Sequence, residues 1–144
     1  MKRSLSFLLV AFAGVLVMAS AGAAQTASGY HVAKTFEIGG DGGWDYVNFD
    51  ASSNRLYIAR ATRVMVVDVE SGKLVGELPG TNGIHGVALV SKLGRGVTSN
   101  GKDNSATIFD LKSLKPIATV KTGEKPDAIL YDKFSGFVLT FNAG

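Results

Sequence analysis

After residue 24 the chain alternates short apolar runs with polar, turn-forming clusters, and no stretch shows a sustained helical period. The run Val64–Val69 is apolar at nearly every position, and Arg55–Arg60 has an apolar centre between charged ends. Such runs are typical of inner strands that are covered on both faces. Asn, Asp, Ser and Gly occupy the connections between the runs. The pattern predicts an all-β fold of short strands.

The strand pattern recurs three times. Asp45, His85 and Asp127 occupy one equivalent position, so the repeat lengths are about 40 to 42 residues. A unit of this length with four strands is the signature of a β-propeller blade. The strands predicted in the two complete repeats are Tyr46–Asp50, Arg55–Ala59, Val64–Val69 and Lys73–Leu78, then Val87–Val90, Arg95–Ser99, Ala106–Leu111 and Pro116–Val120.

The repeats set the domain organisation. Residues 25–144 are predicted to be the N-terminal part of a propeller of four-stranded antiparallel blades, preceded by a signal peptide at 1–24. About two and a half blades are present, whereas a closed propeller typically has four to eight. We therefore expect the sequence to be an N-terminal fragment of a longer protein. The predicted parts are a closing strand at 31–38, which completes the last blade of the ring, a blade at 44–78, a blade at 84–120 and a partial blade at 126–144.

The first residues have the three regions of a secretory signal peptide. A basic start is followed by the apolar run Leu5–Val17 and by a small-residue stretch at 19–24. The apolar run is shorter than the roughly 20 residues that a membrane-spanning helix needs. We expect cleavage within 21–24 and a periplasmic or secreted product that has no membrane association once the signal is removed.

Removal of the signal peptide changes the charge balance. Two of the 15 basic residues, Lys2 and Arg3, lie in it, which leaves 13 basic residues against 12 acidic ones. A balance this even indicates no nucleic-acid surface. The chain has no cysteine, which excludes disulfides, thiolate metal sites and a thioether-linked haem. The sequence indicates no cofactor.

Three tetrapeptides at equivalent positions resemble the Tyr-Val-Thr-Asn element of YVTN-type β-propeller repeats: Tyr57–Arg60, Val97–Asn100 and Leu139–Asn142. Longer phrases are similar to bacterial exported YncE-like proteins: Gly42–Val47, Gly94–Gly101 and Lys125–Ile129. This resemblance implies a seven-bladed periplasmic or secreted propeller, in a group whose members mostly lack an assigned reaction. The first repeat departs from the pattern because Arg60 stands where the other two repeats have asparagine.

In a propeller, the loops between blades and the loops between second and third strands surround one end of the channel, where ligands usually bind. Asp45, His85 and Asp127 each follow a loop between blades and should lie at one level near this mouth. A histidine between two carboxylates could bind a divalent metal or act as acid and base. It could instead hydrogen-bond the blades to one another, which is the interpretation we favour.

The candidate ligand-binding residues at the mouth are Trp44, Asp45, His85, Asn100, Asp127 and Asn142, and no catalytic or metal-binding residue is assigned. Trp44 could be a stacking platform, but its apolar equivalents in the other repeats favour a structural plug. Asn100 begins a polar loop that could contact a ligand or form a solvated turn. Asp68 and Asp110 end third strands and are predicted to cap the turns that follow.

These features favour an exported binding or scaffold protein, with a small polar ligand or a protein as its unidentified partner. The alternative is an exported propeller enzyme, such as a lactonase-like hydrolase or a quinoprotein-like oxidoreductase, whose site is completed by further blades. Blade architecture does not decide between them, because function depends on the site and not on the fold.

Overall fold

The computed structural model describes residues 29–144, so the predicted signal peptide lies outside the described residues. Residues 29–34 belong to a unit that spans Met1–Lys34 and contain no strand or helix. A second unit, Thr35–Gly144, contains the strands described below. Within the described part of the chain, no helix is both long enough and apolar enough to cross a membrane.

Ten strands form three antiparallel sheets. The first blade is β1–β4, the second blade is β5–β8, and a third sheet contains β9 and β10. The prediction of an all-β propeller built from four-stranded antiparallel blades is thereby confirmed, with predicted strand ends that differ from the observed ones by at most three residues. The strands are β1 Trp44–Asp50, β2 Arg55–Arg60, β3 Arg63–Asp68, β4 Leu74–Pro79, β5 Ile84–Val90, β6 Arg95–Asn100, β7 Ser105–Asp110, β8 Pro116–Lys121, β9 Pro126–Tyr131 and β10 Val138–Asn142.

The segment 31–38 forms no strand in the structure. Its residue Ile38 packs on one face of the first blade, in a cluster with Val67. The repeat-equivalent residues Leu78 and Phe109 also share a cluster, so Ile38 lies where the repeat phase places it. The strand with which 31–38 would pair belongs to a blade outside this sequence, and its role in closing the ring stays a prediction.

The main core lies at the seam between the first and second blades. The rings of Tyr57 and Phe109 meet there with centroids 6.2 Å apart and planes inclined by 47°. Full burial of an apolar side chain of this kind contributes about 1.5–3 kcal/mol, so this seam is a major source of stability. The other buried members of the cluster are Ala59, Val64, Val66, Leu78, Ile84, Val87 and Leu111.

The third sheet exposes apolar side chains at positions that are buried in the first blade. Leu139 is 43% exposed, whereas its equivalent Tyr57 is 1% exposed. Phe141 is 52% exposed, whereas its equivalents Ala59 and Ser99 are completely buried. The next blade covers these positions in the first and second blades. The exposed face of the third sheet therefore has the composition of a blade face that a further sheet would cover.

We expect a chain of residues 25–144 to self-associate through this face, because water-exposed apolar area favours association. Phe141→Ser, which introduces the residue found at position 99, should shift the chain towards monomer in sedimentation experiments. Leu93→Ser is the control, because Leu93 is an exposed apolar residue of the second blade. A monodisperse, cooperatively melting monomer of the unmodified chain would contradict the expectation.

Aspartates cap the turns that follow the third strands, as predicted. Asp68 accepts hydrogen bonds from the amide and hydroxyl of Ser71 at 2.8 and 2.7 Å. Asp110 accepts the same pair of bonds from Ser113 at 2.8 and 2.9 Å. The bonds from the Ser71 hydroxyl and amide lower the pKa of Asp68, because they stabilise its charged form.

The lowered pKa of Asp68 predicts an acid-sensitive contribution to stability. The contribution is complete above the unfolded-state pKa, near pH 4, and it is lost as the pH falls through the lower folded-state value. Asp68→Asn keeps a side-chain oxygen for the turn but has no charge to titrate. Urea midpoints measured between pH 6 and pH 2 should therefore fall more steeply for the parent chain than for Asp68→Asn. Parallel pH profiles would show that this carboxylate contributes nothing.

Candidate functional site

Each innermost strand has a register irregularity of the β-bulge type near its first residues. Pairing of β1 with β2 shifts between Trp44 and Val47, and pairing of β5 with β6 shifts between Ile84 and Val87. In the third sheet, the shift lies opposite Asp127. A bulge inserts an unpaired residue and turns its side chain away from the regular alternation. The repeated bulge thus directs equivalent side chains out of all three sheets at one level.

The three side chains directed by these bulges are in contact. His85 Nδ1 lies 2.8 Å from Asp45 Oδ2 and 3.3 Å from Asp127 Oδ1. The three residues come from the first blade, the second blade and the third sheet, so the contacts bridge two seams. All three side chains are partly exposed, which limits the contribution that each ion pair makes to stability. We call this group the mouth cluster.

The contacts of His85 define how its two ring nitrogens are used. An ionised carboxylate only accepts hydrogen bonds, so Nδ1 carries the proton that faces Asp45 and Asp127. In the neutral ring this leaves a lone pair on Nε2, which makes no hydrogen bond to any described residue. Nε2 lies over Gly101, where an added Cβ would be only 2.6 Å away. Glycine at position 101 is therefore required by the close approach of the imidazole ring.

A pocket of about 580 Å³ opens beside His85, and we call it the mouth pocket. It combines one face of the mouth cluster with charged side chains from the surrounding loops. Lys102, Glu124 and Lys125 form no ion pair among the described residues, so their charges are available to a ligand. The lining residues are Gly83, His85, Gly101, Lys102, Asn104, Glu124, Lys125, Asp127 and Ala143.

Backbone contacts hold the mouth loops in place. Asn104 accepts a hydrogen bond from the amide of Lys125 at 2.8 Å, which joins a loop of the second blade to the loop before the third sheet. Ser99 accepts a hydrogen bond from the Gly86 amide at 3.1 Å and donates one to the Asp127 carbonyl at 2.8 Å. The bulge residues are therefore fixed by hydrogen bonds that cross the second seam, and the pocket has a rigid wall.

Trp44 lies beside the mouth cluster but serves the first blade. Its half-exposed ring stacks on the guanidinium of Arg60, with 3.8 Å between Arg60 Cζ and the ring centroid. Arg60 is itself buried and donates hydrogen bonds to the carbonyls of Gly39, Gly40 and Gly42. The residue that departs from the asparagine pattern thus anchors the glycine-rich loop. The departure itself was the signal in the sequence, but sequence reasoning missed this role.

The two asparagines predicted at the mouth differ in environment. Asn100 is 1% exposed, and its amide donates to the hydroxyls of Ser105 and Thr107 at 3.2 and 2.9 Å. Its side-chain oxygen accepts from Thr98 at 2.7 Å, so its hydrogen-bonding groups are used within the second blade. Asn142 is exposed and its side chain lies against Gly123, next to the mouth pocket. We therefore leave Asn100 out of the candidate site.

The arrangement suits hydrogen bonding to a polar ligand. Among residues 29–144, no group of three or more histidine and carboxylate side chains is placed to hold a metal ion. The charged lining residues Lys102, Glu124 and Lys125 were missed by sequence reasoning. Their positions in mouth loops were the available signal, but a loop position alone does not tell a pocket residue from a solvated one.

Comparisons with known proteins define the class of fold. No protein-family profile matches the chain, and no curated protein does so either. The solved structures that match include Kuenenia stuttgartiensis hydrazine synthase, with 17% identity and a TM-score of 0.68 over 80% of this chain and 33% of that one. The β-propeller domain of Myceliophteria thermophila Cps50 (Swd1) matches with 16% identity and a TM-score of 0.56, over 65% of this chain and 30% of that one.

A third similar structure is the dihydro-heme d1 dehydrogenase NirN in complex with DHE. It has 12% identity and a TM-score of 0.60 over 67% of this chain and 23% of that one. The chain spans a third or less of the length of these three structures. At such low identity the likeness shows the fold alone, and the protein is a β-propeller protein. Two of the three similar structures have enzyme names, so the likeness does not determine the function.

The geometry of His85 predicts its neutral tautomer. We expect the proton on Nδ1, which is the less usual form, because Nδ1 faces two carboxylates and Nε2 has no partner. Long-range ¹H–¹⁵N correlation spectra at neutral to mildly alkaline pH would show it. The chain has two histidines, so the exposed His31 is an internal reference. A proton on Nε2 of neutral His85 would mean that the mouth cluster is not formed in solution.

Proposed function

We propose that this chain is the N-terminal part of an exported, YncE-like propeller whose channel mouth binds a small polar ligand without transforming it. The observation that carries the proposal is His85, held by carboxylates on one side while Nε2 remains available beside the mouth pocket. The resemblance of the Tyr-Val-Thr-Asn elements supports the family, and the first 24 residues support export.

The pocket chemistry favours a ligand with both donor and acceptor groups. Neutral His85 offers an acceptor at Nε2, and Glu124 offers a carboxylate. Lys102 and Lys125 offer ammonium donors. Hydroxy acids, sugar acids and amino acids combine groups that match both kinds of lining residue. A ligand of this type would gain charge-assisted hydrogen bonds, which are stronger than bonds between neutral groups.

The second candidate function is an enzyme, and one specific observation favours it. A carboxylate that holds a histidine by Nδ1 is the arrangement that orients a catalytic base. A lactonase-like hydrolase or a quinoprotein-like oxidoreductase would use such a base. However, no described side chain hydrogen-bonds to Nε2 of His85, so the described residues supply no nucleophile for it to activate. This is why binding is the leading proposal.

The proposal is tested with a defined panel of hydroxy acids, sugar acids, amino acids and lactones, followed by ligand-observed NMR. Members that bind should lose affinity at least tenfold in His85→Ala. The same variant should lose no more than about 1–2 kcal/mol of stability, the scale of a lost, partly buried hydrogen bond. Turnover of a panel member that depends on His85 would instead favour the enzyme.

Gly101→Ala provides a sharper test, because it leaves His85 in place. The added methyl group would collide with the imidazole ring, displace it from Asp45 and Asp127, and so weaken binding as strongly as His85→Ala does. Gly43→Ala is the matched control, since an added Cβ there meets no atom within 4 Å. If no panel member binds, or if binding survives both His85→Ala and Gly101→Ala, the mouth pocket is not the ligand site.

A further inference from the structure

A second pocket of about 310 Å³ lies at the seam between the first and second blades, and we call it the seam pocket. Asp50 and Ser91, at the ends of β1 and β5, are among its lining residues, whereas the bulges lie near the starts of the same strands. The seam pocket is therefore separate from the mouth pocket and independent of the function proposed above. The charged and polar groups that matter here are Asp50, Arg55, Tyr57, Asp110 and Lys112.

The carboxylates of the seam pocket already have partners. Asp50 accepts the amide and hydroxyl of Ser52 at 3.1 and 2.7 Å, and the hydroxyl of Ser53 at 2.8 Å. Asp110 forms an ion pair with Arg95 at 2.8 Å, in addition to capping its turn. Neither carboxylate needs a ligand to satisfy it.

Arg55, by contrast, has no carboxylate partner among the described residues. In the second blade, Arg95 lies opposite Asp110 in the ladder and pairs with it. In the first blade, Arg55 lies opposite Asp68 in the equivalent register, but the two side chains form no ion pair within 4 Å. The guanidinium instead reaches across the seam to the carbonyl of Leu111, at a long 3.4 Å. Its remaining N–H donors are available on the pocket side.

Tyr57 supplies a second donor without a partner. The residue is 1% exposed, and no hydrogen-bond partner lies within reach of its buried hydroxyl. A buried polar group without a partner is costly, and most such groups are satisfied by a ligand, an ion or water. Lys112, on the second-blade side of the pocket, likewise forms no ion pair among the described residues. The free groups of the seam pocket are thus hydrogen-bond donors, and two of them are cationic.

We propose that the seam pocket binds a small oxyanion, a phosphate or a carboxylate, between the Arg55 guanidinium, the Tyr57 hydroxyl and the Lys112 ammonium. Charge-assisted hydrogen bonds to a guanidinium and an ammonium are the usual basis of such recognition. Arg55 and Tyr57 belong to the first blade and Lys112 follows β7 of the second. The bound anion would join the two blades.

The test is thermal unfolding of the full chain in chloride, in phosphate and in acetate, at one pH and one ionic strength. An anion that binds the folded state raises the melting temperature in a saturable way. Tyr57→Phe retains the ring that packs on Phe109 and removes only the hydroxyl, so it should fold. It should melt in chloride at or above the temperature of the parent chain, because an unpartnered buried hydroxyl is gone, and it should show at least a tenfold weaker response to the anion.

Arg55→Gln should abolish the response, and Lys121→Gln, a charge change on the exposed strand β8, should leave it intact. Where Arg55→Gln does not fold, Tyr57→Phe and phosphate line broadening in ³¹P NMR decide the question. A saturable response to phosphate alone identifies a phosphate site, and a response to acetate alone identifies a carboxylate site. No saturable response to either anion, or a response that is equal in the parent chain and Tyr57→Phe, overturns the inference.

Discussion

The burial of each blade face by the next blade is the constraint on which the rest of this structure depends. Val64, Val66 and Leu78 have no exposed surface only because the second blade covers them. A four-stranded sheet with two apolar faces cannot bury both by itself, so neighbouring blades are bound to one another in the way of other repeat proteins. The mouth cluster and the seam pocket both arise where two such faces meet.

The repeated bulge converts this packing into a site. Without it, Asp45, His85 and Asp127 would follow the regular in-and-out alternation of their strands. The bulges place one titratable side chain from each sheet at the same level, and the small angle between neighbouring blades brings them within hydrogen-bond distance. A single local irregularity, copied three times, thus creates a cluster that no one repeat contains.

The repeat period predicted the blades, and the equivalence of positions predicted that His85 would lie between two carboxylates. What the sequence could not supply was the direction of side chains at the seams. Arg55 and Arg95 are equivalent in sequence, but only Arg95 pairs with its ladder partner. Likewise, Asn100 is buried within its own blade because Thr98 and Thr107 satisfy it, which depends on tertiary contacts. Export, blade number and the YncE-like family stay predictions.

The anchoring of the glycine-rich loop by Arg60 has a consequence for how this protein can change. Arg60 binds the carbonyls of this loop and none of its side chains, so the anchor is blind to the residues that the loop carries. Gly39, Gly40 and Gly42 have positive φ angles and are constrained by the path of the chain. Positions 41 and 43 are not, and mutation there can alter the chemistry of the loop while its attachment to the blade persists.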